Sequence, residues 1–271
     1  MGMTSDMSEA PIYTDDDLRF VAETVGEERP GAPEPALLRT REDLLDVMLD
    51  DDRLVRRLLG DEQVLLRVSP SLVFSVLLRR VVRDLHEQSY TLERTAAETV
   101  AVFDAPRVRR FIAEPAVWGY LVGLLASFVR TETITVVVRE REHYRRRRFN
   151  TLNLEDMIEL AGLVGRDEAP PIFRRIADVA LFTSGIFPDY LRAPRRGGTP
   201  ARRWRAIPRT LETYEEQGRR FYRLAAHAEA KAEDRVLSTL ADEFPMARKS
   251  LEILSDRYLR WSRLTWFHAP G

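Results

Sequence analysis

Residues 115–149 read PAVWGYLVGLLASFVRTETITVVVREREHYRRRRF, and within this stretch the chain passes from a helical to a strand pattern. Pro115 suits the first turn of a helix. Val117, Tyr120, Leu121, Leu124, Leu125 and Phe128 then recur at the three-and-four spacing that stacks side chains along a helix. The segment is apolar nearly all round, which predicts a helix at the centre of a core. From Ala116 to Val129 it runs about 14 residues, short of the roughly 20 that cross a bilayer. Thr133 to Val138 gathers β-branched residues, and Tyr144 to Phe149 can pair back across a charged turn at Arg139–His143. A single β-hairpin over 133–149 follows.

Helical signals flank this stretch on both sides. Thr40 is placed to cap a helix carrying Leu44, Leu45, Met48 and Leu49. Asp50, Asp51 and Asp52 interrupt it, and Leu54, Val55, Leu58 and Leu59 resume before Gly60. Ser69-Pro70 opens a core helix through Val73, Phe74, Leu77, Leu78, Val81 and Leu85, and Pro106 opens another. Asn153 caps a helix over Leu154–Val164. Pro170-Pro171 starts the next, with Ile172, Ile176, Val179, Ala180 and Thr183 on one side and Gly185 as its stop. Two long helices close the chain. Leu211, Tyr214, Gly218, Phe221 and Ala225 mark the first, while Ala247, Leu251, Leu254, Tyr258 and Trp261 form a seam on the second, so an antiparallel α-hairpin over 210–264 is expected. At the tail, Trp266 and Phe267 are read as tucking back onto the bundle.

The fold class is therefore mainly α: a multi-helix bundle with one inserted β-hairpin and a C-terminal antiparallel α-hairpin. Residues 1–35 hold many acids, few large apolar residues and Pro30, Pro33 and Pro35. They read as an acidic mobile arm with a short helix around Asp17–Val25, ahead of one helical domain over 36–268.

Absences exclude several chemistries. The chain has no cysteine, so disulfides, thiolate metal sites and cysteine nucleophiles are out, and a cytoplasmic setting fits. It contains no phosphate-binding Gly-rich signature, and Ser184 in FTSGIF lacks the glycine two residues before a nucleophile elbow. The one Glu-x-x-His, Glu140 to His143, falls at the hairpin turn, and His227 with Glu229 and Glu233 is poorly spaced for ligation. No metal and no cofactor is expected. Glu98, Asp178 and Asp84 sit beside apolar helix faces, where an acid paired with a neighbouring arginine is the simpler reading; none is nominated as catalytic.

Charge is distributed unevenly. The 42 basic residues comprise Lys231, Lys249 and 40 arginines, nearly balanced by 43 acids. Yet residues 1–62 hold 17 acids against 7 arginines, and the remainder carries a net +9. Two clusters concentrate the positive charge. One is Arg145, Arg146, Arg147 and Arg148 on the second hairpin strand. The other lies in the loop 192–209, with Arg195, Arg196, Arg202, Arg203 and Arg205 around Trp204 and no acid. These residues either pair with acids of neighbouring helices or form an anion-binding surface. The function expected is a soluble, cofactor-free interaction or regulatory protein that binds an acidic partner, protein or nucleic acid, through the Arg-rich hairpin and loop. No membrane is involved, and the C-terminal helices are the expected route for any self-association. The alternative is a helical-bundle enzyme or small-molecule binder with a pocket between helices; a binding role is favoured over catalysis.

Overall fold

The computed structural model describes residues 13–26, 33–94, 98–129, 133–140, 143–192, 210–228, 233–259 and 267. The chain divides into two compact units, residues 1–80 and 81–271.

The first unit begins with α1 (Asp15–Gly26), the short helix expected inside the acidic arm. Its start is fixed by a reciprocal cap. The Thr14 hydroxyl accepts from the Asp17 N–H, and the Asp17 carboxylate accepts from the Thr14 N–H at 2.8 Å. Asp17 is fully buried, and its other oxygen takes the Ser69 N–H at 2.7 Å, satisfying a free amide at the start of the helix that follows Pro70. Leu18, Val21 and Ala22 face the core, so this part of the acidic segment is a packed element. The rest of the arm, 1–12 and 27–32, lies outside the described residues.

Around α1 are α2 (Pro35–Thr40), α3 (Glu42–Leu49), α4 (Asp52–Gly60), α5 (Glu62–Leu65) and the start of α6 (Pro70–His86). The aspartate run interrupts the pattern as expected, Asp51 capping α4 through the Arg53 N–H at 2.9 Å. Thr40 does not cap. It ends α2, its hydroxyl donating to the Leu37 carbonyl, and Arg41 precedes α3 instead.

The second unit is built on α10 (Ala169–Ile186), which packs against α8 (Pro115–Val129), α9 (Leu154–Ala161), α11 (Pro188–Arg192), α12 (Leu211–Ala228) and α14 (Phe244–Leu254). On α8, Val117, Leu121, Leu124, Leu125 and Phe128 are buried, as the apolar pattern predicts. Phe128 stacks on Phe182 of α10 at 4.0 Å between centroids, and Phe267 meets Phe182 edge-on at 4.9 Å, so Phe267 does tuck back. Each such fully buried ring contributes about 1.5–3 kcal/mol.

Gly185 is not a stop. The helix continues through it to Ile186, and a Cβ there would lie 2.5 Å from Leu251 Cβ, so the glycine is what lets α10 and α14 touch. Where two long C-terminal helices were expected, three occur: α12, then α13 (Glu233–Asp242) packed on it, then α14. After Leu254 the chain makes a π turn over Ser255–Leu259. Its wider spacing moves the seam by one position, burying Leu259 while Tyr258 is only half-buried.

Strand content also exceeds the single hairpin expected. A short pair, β1 (Thr91–Arg94) and β2 (Thr99–Val102), precedes α7 (Ala105–Ile112). With four residues per strand and no Gly or Pro between them, its sequence signal is slight. The main hairpin pairs β3 (Thr133–Glu140) with β4 (His143–Asn150), from Thr133 opposite Asn150 to Glu140 opposite His143. The turn is thus tighter than the Arg139–His143 expected, those end residues belonging to the ladder. Among the described residues no single helix is long and apolar enough to cross a membrane; α7 and α8 reach that length only together and are bent by 81°.

Candidate functional site

The basic hairpin is anchored at one end. Phe149 is 1% exposed, Asn150 donates its N–H to Asp156 at 2.9 Å, and Asn153 caps α9 through the Asp156 N–H. β4 and α9 are in contact. Arg147 belongs to this anchor: its guanidinium reaches Glu159 of α9 at 2.7 Å and lies 5.4 Å from the centre of the Phe149 ring.

Arg146 and Arg148 behave differently. Strand alternation puts them on the side opposite Arg147. Both are exposed, and neither pairs with an acid among the described residues. Thr135, opposite Arg148 in the ladder, is exposed as well. Arg145 is placed in β4 opposite Val138. Arg195, Arg196, Arg202, Arg203, Trp204 and Arg205, the other half of the expected surface, lie outside the described residues.

Sequence reasoning missed two buried polar clusters. In the first, Asp178 of α10 accepts at one carboxylate oxygen from the hydroxyls of Tyr120 on α8, 2.6 Å, and Tyr222 on α12, 2.9 Å. Arg174, one turn before Asp178, donates to the Tyr120 oxygen at 3.2 Å and lies over its ring. Burial pushes the Asp178 carboxyl above the usual carboxylate range, against the phenol donors and nearby Arg174 and Arg175. Burial and the adjacent Asp178 push both tyrosines well above the ordinary phenol value. One acid thereby ties three helices together. The phenols are spent on holding it and are poor acids, so the cluster reads as a clamp.

The second cluster lies along α14. Arg248 is 4% exposed, and three of its nitrogens each meet a carboxylate from a different element: Nε to Glu215 of α12 at 2.8 Å, Nη1 to Glu252 of α14 at 2.6 Å, and Nη2 to Glu93 of β1 at 3.3 Å. Lys249, also 4% exposed, donates to Asp104 at 2.5 Å, and Asp104 in turn accepts from the Thr91 hydroxyl. Glu93 bridges the two cations, its second oxygen 3.9 Å from Lys249. Every cation here is answered by an acid, so the cluster holds the short hairpin and the start of α7 onto α14. The signal available was the breadth of the buried stripe: from Phe244 to Leu254 only Pro245 and Ile253 are not buried.

The three acids singled out from sequence have separate surroundings. Asp178 is in the tyrosine clamp. Asp84 accepts from Arg257 at 3.0 Å and from the Tyr258 hydroxyl, and Glu98 is exposed at the edge of the short hairpin. Among the described residues no group of three or more His, Asp or Glu side chains is placed to hold a metal ion. No protein-family model, curated protein or solved structure matches the chain.

Proposed function

We propose that the chain is a soluble, cytoplasmic interaction protein that binds an acidic partner through the arginine row of β4, without a cofactor. The observation that carries this is the contrast within one strand. Arg147 is neutralised by Glu159, whereas Arg146 and Arg148 stand exposed on the other side with no acid beside them among the described residues. Solvated guanidinium groups fixed on a strand are preorganised donors for carboxylate or phosphate, and Arg keeps its charge at any physiological pH. The loop 192–209 adds arginines and a stacking tryptophan in sequence.

A column of immobilised heparin tests the proposal. The full chain is retained at low salt and elutes as salt rises, and R146A/R148A elutes earlier, each lost phosphate-type contact lowering the logarithmic salt slope by about 0.9. Flow-through of the wild type at low salt overturns the proposal. The buried tyrosine clamp supports no competing catalytic reading, since its donors are consumed by Asp178.

A further inference from the structure

The two-stranded form of the basic hairpin narrows the class of partner, in a step that rests on the reading just given. Among the described residues β3 and β4 pair only with each other, and each strand has eight residues. At about 3.4 Å per residue the ribbon is roughly 27 Å long, with its strands about 4.8 Å apart. A B-form major groove, about 12 Å wide and 8.5 Å deep, admits such a ribbon, whereas the minor groove at about 6 Å does not. The major groove of A-form RNA is deep and narrow and is closed to side chains.

The two sides of the ribbon are not equivalent. One is committed to α9 through Phe149 and Arg147. The other exposes Arg146 and Arg148 about 6.8 Å apart, two residues along one strand. Thr135 stands across the ladder from Arg148, and Val137 is the register partner of Arg146. Guanidinium is the side chain best matched to both the guanine major-groove edge and backbone phosphate, and a threonine hydroxyl can serve any base edge. An acidic protein surface would match the charge but would have no use for an elongated two-stranded shape.

We infer that β3–β4 docks as a ribbon in the major groove of duplex DNA, with Arg146 and Arg148 as its contacts to bases or phosphates. The test is fluorescence anisotropy of the full chain with a labelled DNA duplex, the duplex RNA of matching sequence, and labelled polyglutamate, all at low salt. Methyl green, which occupies the major groove, and netropsin, which occupies the minor groove, serve as competitors. Circular dichroism and a denaturation curve establish that R146A/R148A is folded. The expected result is DNA binding at least about tenfold tighter than RNA or polyglutamate, displaced by methyl green and not by netropsin, and weakened about tenfold or more in R146A/R148A. Equal binding of DNA, RNA and polyglutamate, or displacement by netropsin alone, overturns the groove assignment while leaving the acidic-partner reading intact. Undiminished DNA binding by the folded double variant overturns the assignment of β4. Absence of binding to all three, together with no heparin retention, removes both readings at once.

Discussion

Arg248 and Arg148 are the same residue type in two opposite situations. Arg248 is enclosed on α14 with one carboxylate at each of three nitrogens, while Arg148 stands on β4 in solvent with no acid among the described residues. In a chain with 40 arginines, the count therefore says little about function; what matters is whether each guanidinium has been answered internally. A buried cation whose partners remain is costly to remove because the acids are left without compensation, whereas an exposed one can be removed with little effect on the fold.

The largest effect is expected from breaking the enclosed member. Arg248→Met keeps much of the volume and strands Glu252 and Glu215, so a loss of about 3–5 kcal/mol is expected in urea unfolding. Arg248→Lys should not restore it, because an ammonium cannot face three carboxylates in a planar fork. A variant as stable as the wild type would erase the distinction between the two arginines.

Next is the clamp. Asp178→Ala leaves the Tyr120 and Tyr222 hydroxyls without their acceptor, at a cost of about 2–4 kcal/mol. Asp178→Asn keeps one acceptor oxygen and sharpens the comparison through pH. The folded-state pKa of Asp178 is raised, so its contribution to stability is fully present below the unfolded value of 3.8 and is lost as pH rises through the folded value. The stability of D178N relative to wild type should therefore improve as pH increases from below 3.8. Unfolding curves for both proteins across that range check the sign, and the opposite trend would show that the phenol donors outweigh burial.

Gly185→Ala is expected to cost about 1–3 kcal/mol, since the added methyl meets Leu251 and the Arg248 carbonyl and pushes α14 away from α10. A loss of thermal stability with an intact β4 would separate the packing of Arg248 from the solvent-facing arginines. The smallest effect on the fold is assigned to R146A/R148A, within about 0.5 kcal/mol of wild type in urea unfolding. A larger destabilisation would mean that these residues have structural partners after all.

Much of the helical framework was legible because proline, asparagine and aspartate mark its starts and apolar spacing marks its faces: Pro70, Pro115 and Asn153 all stand at or next to the helix ends expected of them. Local signals failed where the cause is tertiary. Gly185 looks like a terminator until Leu251 is seen against it, and Thr40 looks like a cap although its hydroxyl turns back into the preceding helix. The tyrosine clamp was illegible for the same reason, since Tyr120 and Tyr222 approach Asp178 across 58 and 44 residues of sequence. Of the candidate surface, sequence located the arginines of β4. It could not say that Arg147 would be taken up by Glu159 while its neighbours on either side were not.

Lys249 gives the molecule a built-in clock. The chain has only two lysines, and this one is sealed beneath α14 against Asp104 and Glu93. An amine-directed acylating reagent can reach it only when that helix lifts from the short hairpin. The rate at which Lys249 is acylated in the native protein, read by mass spectrometry, therefore measures how often this corner of the fold opens.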